Sequence, residues 1–257
     1  QKAGDPKGYP IWTQIVADAA GASGAAQCNA LTSNGATFAP SSNTACTNYA
    51  IGGGRIVAGA AQGGSASPLR VATQMGLAPA SQIGNALVLI DGGGNDAADL
   101  VGAYLGAGSG AAGVAAYQSF LLQQIPAATL TGLLTQAGGA EKAAGAYMVA
   151  LADTFYASIR SQVLDRGAKN VVVLNVPDIT LTPRFRAVLG GVQASAGAAT
   201  ATALQAGIRA WIKAYNDRLL ELRGVDPRVV IIDFNGTFTA QVNSPASFGL
   251  SNSIDAV

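Results

Sequence analysis

The chain has 257 residues, of which 49% are hydrophobic and only 11% are charged, and its net charge is +1. This composition excludes a disordered chain, and the balanced charge gives no electrostatic basis for binding nucleic acid or an anionic membrane surface. No apolar run reaches the roughly 20 residues that a transmembrane helix requires. The length is that of one domain, which we assign to residues 1–257.

The N-terminal part of the chain predicts one helix and then a long polar loop. Apolar residues at positions 11, 12, 15 and 16 have the spacing of an amphipathic helix over 11–20. The loop over 21–47 contains both cysteines, Cys28 and Cys46. In an exported protein a disulfide would close this loop, with a chain-entropy stabilisation of about 3 kcal/mol. The alternative is two unrelated thiols, since no Cys-x-x-Cys spacing indicates metal or redox chemistry.

The rest of the chain alternates helices with short, continuous apolar segments. Strands are predicted over 86–90, 170–176 and 229–234. Helices are predicted over 68–75, 141–166 and 200–223, with two or three more between 97 and 140. Strands that are apolar at every position and alternate with helices are typical of a parallel sheet covered on both faces. The predicted fold class is therefore α/β.

Several short motifs have ordinary structural explanations. Gly108, Gly110 and Gly113 fit the dinucleotide-binding pattern G-x-G-x-x-G, but no buried strand precedes them, so a loop in a helical region is favoured. Residues 91–100 resemble one turn of a calcium-binding β-roll, a structure that needs several stacked repeats. Residues 235–237 match the N-glycosylation pattern and are more simply a turn.

Two aspartates end predicted strands, where carboxylates often act in open α/β sheets. Asp178 follows the second strand and a proline, and Asp233 lies at the end of the third strand. A turn-forming role for Asp178 and a capping role for Asp233 have at least as much support from the sequence as a catalytic role.

Two glycine-rich blocks carry the candidate chemistry, at residues 48–55 (NYAIGGGR) and 93–96 (GGND). Each block follows an apolar stretch. Glycine lets a backbone N–H approach a ligand closely, and a neutral amide can donate to a developing O⁻ without titrating. The two blocks therefore predict an oxyanion hole. Two ordinary turns, in which Gly and Asn are favoured, remain the alternative.

Four stretches in this order resemble the GDSL-type esterases and lipases, the SGNH hydrolase superfamily, and most closely its secreted and autotransporter bacterial branch. The first two are the glycine-rich blocks, which look like the N-x-A-x-G-G and G-x-N-D blocks of that family. The other two are residues 172–178 (VVLNVPD) and 214–219 (AYNDRL). The resemblance implies a doubly wound, flavodoxin-like parallel sheet with helices on both faces.

The resemblance also implies a function, a site and a location. Members of the family hydrolyse esters with a Ser nucleophile, a His base and an Asp that orients the His, and they need no cofactor or metal. Carried over to this chain, the backbone N–H of Gly53 and the side-chain amide of Asn95 would form the oxyanion hole. The substrate would be a small-molecule or lipid ester, and the protein would be secreted or lie at a bacterial cell surface.

This chain departs from the family pattern at both ends. No G-D-S-L-like block precedes residue 48, no D-x-x-H block ends the chain, and the chain has no histidine. We therefore expect a domain that is incomplete at both ends, lacks its first central strand and is inactive alone, with missing segments supplying Ser and His. The alternative function is a non-catalytic binding or adhesion module on the same fold. Catalysis by the chain itself would need another nucleophile, such as Ser65, Ser67 or Ser81.

Overall fold

The computed structural model describes residues 11–21, 27–33 and 37–253. Its helices and strands, in chain order, are α1 (Trp12–Ala19), β1 (Leu31–Ser33), β2 (Phe38–Pro40), α2 (Val71–Leu77), α3 (Ala80–Ile83), β3 (Leu87–Ile90), α4 (Gly94–Gly106), α5 (Ala111–Leu121), α6 (Ala127–Leu134), α7 (Gly139–Ile159), β4 (Asn170–Leu174), α8 (Pro183–Ala196), α9 (Ala198–Arg223), β5 (Val229–Ile232) and α10 (Phe234–Asn243). A π-helical turn over Arg160–Leu164 extends α7. No helix in the described ranges combines the length and the apolar character needed to cross a bilayer.

The larger sheet has three parallel strands in the order β3-β4-β5. Val88 lies opposite Val171, and Val171 lies opposite Val229. Helical segments connect each strand to the next, as parallel pairing requires. The prediction of an α/β fold with these three strands is confirmed.

One face of this sheet forms part of the hydrophobic core. Val171, Val173 and Val229 are fully buried, in the same cluster as side chains of α7 and α9. The apolar stripe of α7 recurs every four residues, at Tyr147, Leu151, Phe155 and Ile159. The stripe of α9 comprises Leu204, Ile208, Trp211, Tyr215 and Leu219. Both long helices therefore turn a continuous apolar face inward.

The other face of the sheet is open. Leu87 and Val230 are each 50% exposed and Ile232 is 43% exposed, although all three are large and apolar. Leu89, Val172 and Leu174 on the same face are half-buried. The prediction of helices on both faces is therefore wrong for the described part of the chain, because α7 and α9 both pack against the core face.

Other differences concern the loops of the predicted scheme. Within the predicted polar loop, β1 and β2 pair as an antiparallel ribbon, and Cys28 and Cys46 form a disulfide, as predicted for an exported protein. The first helix of the 97–140 region begins at Gly94 rather than Ala97. Helices α3, α8 and α10 were not predicted.

Candidate functional site

The site begins where β3 ends and α4 starts. Gly93 lies between these elements with φ +100°, a conformation that L-residues rarely adopt. A Cβ atom on Gly93 would lie 2.8 Å from Cγ2 of Val176 and 3.1 Å from the ring of Tyr215. Glycine is therefore required at this turn for two reasons, its backbone conformation and its close contact with the core.

Asn95 in the first turn of α4 connects the two glycine-rich blocks. Its Nδ2 donates a hydrogen bond to the carbonyl oxygen of Gly54 at 2.9 Å. The side chain is half-buried, and its partner lies 41 positions earlier in the chain. The structure thus brings the two predicted blocks into direct contact.

The side-chain carboxylate of Asp96 binds the backbone of the same loop. Its carboxylate accepts hydrogen bonds from the N–H groups of Ile56, at 3.0 Å, and Val57, at 2.9 Å. The residue is only 2% exposed. Burial raises the pKa of Asp96 to about 6, although the two backbone donors and its own N–H lower it. Its position in the first turn of α4 also places its charge near the positive end of the helix dipole.

An ion pair adds a third connection between α4 and the loop over residues 52–57, which we call the Gly53 loop. The guanidinium of Arg55 pairs with the carboxylate of Asp99 at 2.5 Å. A second nitrogen of Arg55, Nη1, donates to the carbonyl oxygen of Gly53 at 2.7 Å. The loop is thus held from one helical turn by an amide, a buried carboxylate and an ion pair.

Gly53 itself is exposed, with φ +80°. Its N–H has no acceptor among the described residues, whereas the next N–H, of Gly54, donates to Ile51. Because Asn95 binds the carbonyl of Gly54, its amide group lies beside the peptide units that follow Gly53. Asn95 uses one side-chain N–H for that bond and retains a second. The side-chain donor of Asn95 thus contacts the loop that carries the Gly53 N–H, after the carboxyl end of β3.

Searches against protein-family models, curated proteins and solved structures find no match to this chain. The chemical argument therefore rests on the arrangement of the side chains. Two neutral donors near a helix N-terminus can stabilise negative charge on an oxygen. Neither donor titrates near neutral pH, so this capacity does not depend on their own protonation.

The two strand-end aspartates have structural partners. Asp178 is buried, accepts from the N–H and hydroxyl of Thr180, and pairs with Arg209 at 2.7 Å. Asp233 caps α10 by accepting from the N–H of Gly236 at 3.0 Å. These contacts agree with the turn and capping interpretations.

The three weaker motifs lie on ordinary helices and turns of the structure. Gly108 and Gly110 lie between α4 and α5, and Gly113 lies inside α5, so no strand precedes this pattern. Residues 91–100 run from the end of β3 into α4. Residues 235–237, predicted as a turn, form the first turn of α10 instead.

The three candidate serines differ in exposure. Ser67 is buried and its hydroxyl accepts from the N–H of Leu69, while Ser65 and Ser81 are exposed. Among the described residues, no hydrogen bond connects any of them to Gly53 or Asn95.

Two further contributors to the site, Asp96 and the Arg55–Asp99 pair, were not assigned roles from the sequence. The signal was present, because Asn95 and Asp96 occupy the first turn of α4 and Asp99 lies three to four residues later on the same side. Three polar residues at such spacing after a buried strand indicate a helix start that binds another part of the chain.

Proposed function

We propose that the Gly53 loop and Asn95 form the oxyanion hole of an ester hydrolase that acts by Ser-His-Asp acyl transfer. The hydrogen bond from Asn95 to the carbonyl of Gly54 is the observation that supports the proposal, because it connects the Asn95 amide to the loop that contains Gly53. The resemblance of the two blocks to GDSL-type esterases supports the same assignment. The reaction needs no cofactor.

The chemistry follows from charge development in acyl transfer. When a serine hydroxyl attacks an ester carbonyl, that oxygen becomes a tetrahedral O⁻. The Gly53 N–H and the free N–H of Asn95 would donate to it, and the N-terminus of α4 would add a favourable potential. Loss of one such donor raises the barrier by roughly 2.7–4 kcal/mol.

The proposal assigns only oxyanion binding to this chain. It contains no histidine, so it offers no imidazole to take the proton of a serine near neutral pH. The nucleophile and the base would come from segments that carry Ser and His. A secreted or cell-surface location is part of the proposal, and the Cys28–Cys46 disulfide is compatible with it.

The first test maps anion binding on the chain as it stands. Dimethyl phosphate, a tetrahedral monoanion, is titrated into ¹⁵N-labelled protein. We expect the backbone amide of Gly53 and the side-chain amide of Asn95 to shift together. The Asn95→Ala variant should weaken the response at Gly53, whereas Asn85→Ala, which makes the same change at an exposed turn, should not. A titration in which neither group shifts would contradict the proposal.

The second test measures turnover of p-nitrophenyl esters. The 257-residue chain should show none above background, since it lacks a histidine base. In a version that also carries a nucleophilic serine and a histidine, Asn95→Ala should lower kcat by about 10²–10³, and Asn85→Ala should leave it unchanged. A loss too small to measure would remove Asn95 from the mechanism.

Turnover also separates the alternative function, a non-catalytic binding or adhesion module. The missing histidine favours that alternative for the chain taken alone. A module of that kind would stay inactive after Ser- and His-bearing segments are supplied. Turnover by the unmodified chain would instead indicate a different nucleophile, for which exposed Ser65 and Ser81 are the first candidates.

A further inference from the structure

The carboxylate of Asp96 has a geometry that suits its ionised form. One oxygen, Oδ2, accepts from the N–H of Ile56 and the other, Oδ1, accepts from the N–H of Val57. An ionised carboxylate has acceptor lone pairs on both oxygens, whereas protonation turns one of them into a donor. Because both contacts are backbone N–H groups, neither can reverse its direction. Protonation therefore weakens at least one of the two hydrogen bonds.

These two hydrogen bonds attach the end of the Gly53 loop to α4, and backbone hydrogen bonds attach Arg55 to Leu69 and Val71. Ile56 is 2% exposed and follows Gly53 by only three residues. The other contacts of the loop with α4 come from Asn95 and from the Arg55–Asp99 pair, which lies nearer to solvent. Within the described residues, Asp96 is the only side chain that accepts hydrogen bonds from the backbone N–H groups of this loop.

We infer that Asp96 is a positioning residue: its ionised carboxylate holds the Gly53 loop in the geometry that binds an oxyanion, and protonation of Asp96 loosens the loop. The inference rests on the proposed function for what the loop binds. Its structural half, the dependence of the loop on Asp96, stands on the two hydrogen bonds alone.

The surroundings of Asp96 place this change in an accessible pH range. The charged and titratable side chains near Asp96 or its partner Ile56 are Arg55, Arg70, Asp99, Tyr147 and Tyr215. Burial is the main cause that raises the pKa of Asp96 to about 6, and the charge of Asp99 raises it further. Burial also raises the pKa of Tyr147 and Tyr215, so both rings stay neutral while Asp96 titrates.

The sign for stability follows from the same shift. The folded-state pKa of Asp96 lies above the ordinary Asp value. Its contribution to stability is therefore fully present below the unfolded-state pKa and is lost as pH rises towards about 6. Acid should loosen the Gly53 loop locally, while the contribution of Asp96 to the free energy of unfolding increases. These opposite effects distinguish a positioning role from a purely structural one.

The test follows backbone amides of the ¹⁵N-labelled chain by NMR from about pH 4 to about pH 8. We expect the amides of Ile56, Val57 and Gly53 to share one inflection near pH 6. Asp96→Asn should abolish it. Asp99→Asn is the matched control: it should keep the inflection and move its midpoint down, because the Asp99 charge raises the pKa of Asp96. If Asp96→Asn does not fold, the wild-type titration alone tests whether the loop amides respond to protonation in this range.

Two results would overturn the inference: amides of Ile56 and Val57 that do not titrate in this range, or an unchanged inflection in folded Asp96→Asn. Neither would affect the proposed function, which is read from dimethyl phosphate at neutral pH. The converse is also distinguishable. If the amides titrate with Asp96 but dimethyl phosphate moves neither Gly53 nor Asn95 at either end of the range, the oxyanion proposal fails and so does the positioning role for it.

Discussion

Gly93 offers the sharpest test of how the site is built into the core. An alanine at this position would have to adopt φ near +100°, which costs an L-residue roughly 1–2 kcal/mol. Its Cβ would lie 2.8 Å from Cγ2 of Val176, against about 3.5–4.0 Å for an ordinary carbon contact. Overpacking of this kind costs about 1–3 kcal/mol. We therefore expect Gly93→Ala to lower the free energy of unfolding by about 2–5 kcal/mol.

The neighbouring glycine is a matched control. A Cβ on Gly94 would meet nothing within 4 Å, and Gly94 is the first residue of α4. Gly94→Ala should therefore be neutral or stabilising by up to about 1 kcal/mol. Equilibrium unfolding in urea measures both variants, with the same m-value expected for each.

The close contact can be isolated with a third variant. Val176→Ala removes the methyl group that the new Cβ would meet, so Gly93→Ala should cost less in that background than in the wild type. A Gly93→Ala variant within about 0.5 kcal/mol of wild type would refute the argument, because neither strain nor overpacking would then be present.

Two further changes probe the rest of the fold. Replacing Cys28 and Cys46 by serine should lower stability by up to about 3 kcal/mol in thermal unfolding, and reductant should reproduce the loss only in the wild type. Arg209→Ala, which leaves the buried carboxylate of Asp178 without its cation, should cost roughly 1–2 kcal/mol in urea. Lys213→Ala breaks an exposed pair on the same helix and should cost less than about 0.5 kcal/mol. Equal losses for the two helix variants would contradict a structural role for Arg209.

The strands and long helices were predictable because their patterns are strong. Each of β3, β4 and β5 is an almost unbroken run of Val, Ile and Leu, and Gly224 ends α9 where the sequence suggests. The open face of the sheet was not predictable for the same reason. When every position of a strand is apolar, the pattern cannot tell which face is covered.

The missed helices have weak patterns. Helix α8 has a short apolar stripe, Phe185, Val188, Leu189 and Val192, but Gly190 and Gly191 interrupt it and lower the helix propensity of the segment. The start of α10 contains Asn235 and Gly236, which favour a turn. Tertiary contacts decide that case, since Asn235 donates to the carbonyl of Val176 while Asp233 caps the helix.

The residues of the candidate site were predictable, but the hydrogen bonds between them were not. The pairing of Gly53 with Asn95 came from two blocks whose order resembles a known family. The partners of Asp96 are 39 and 40 positions earlier, a distance at which local spacing carries no information. Only the folded chain assigns the buried carboxylate to Ile56 and Val57.

The open face of the parallel sheet also governs how this chain behaves at high concentration. It presents Leu87 on one short edge strand, and Val230 and Ile232 on the other, to water, and the backbone groups of both edges can pair with another chain. A net charge of +1 provides almost no electrostatic repulsion between copies. Attraction between copies through this face would be hydrophobic, so warming and sulfate would strengthen it while dilute salt would hardly change it. The strands that position the site thus also limit the concentration at which the purified chain stays in solution without self-association.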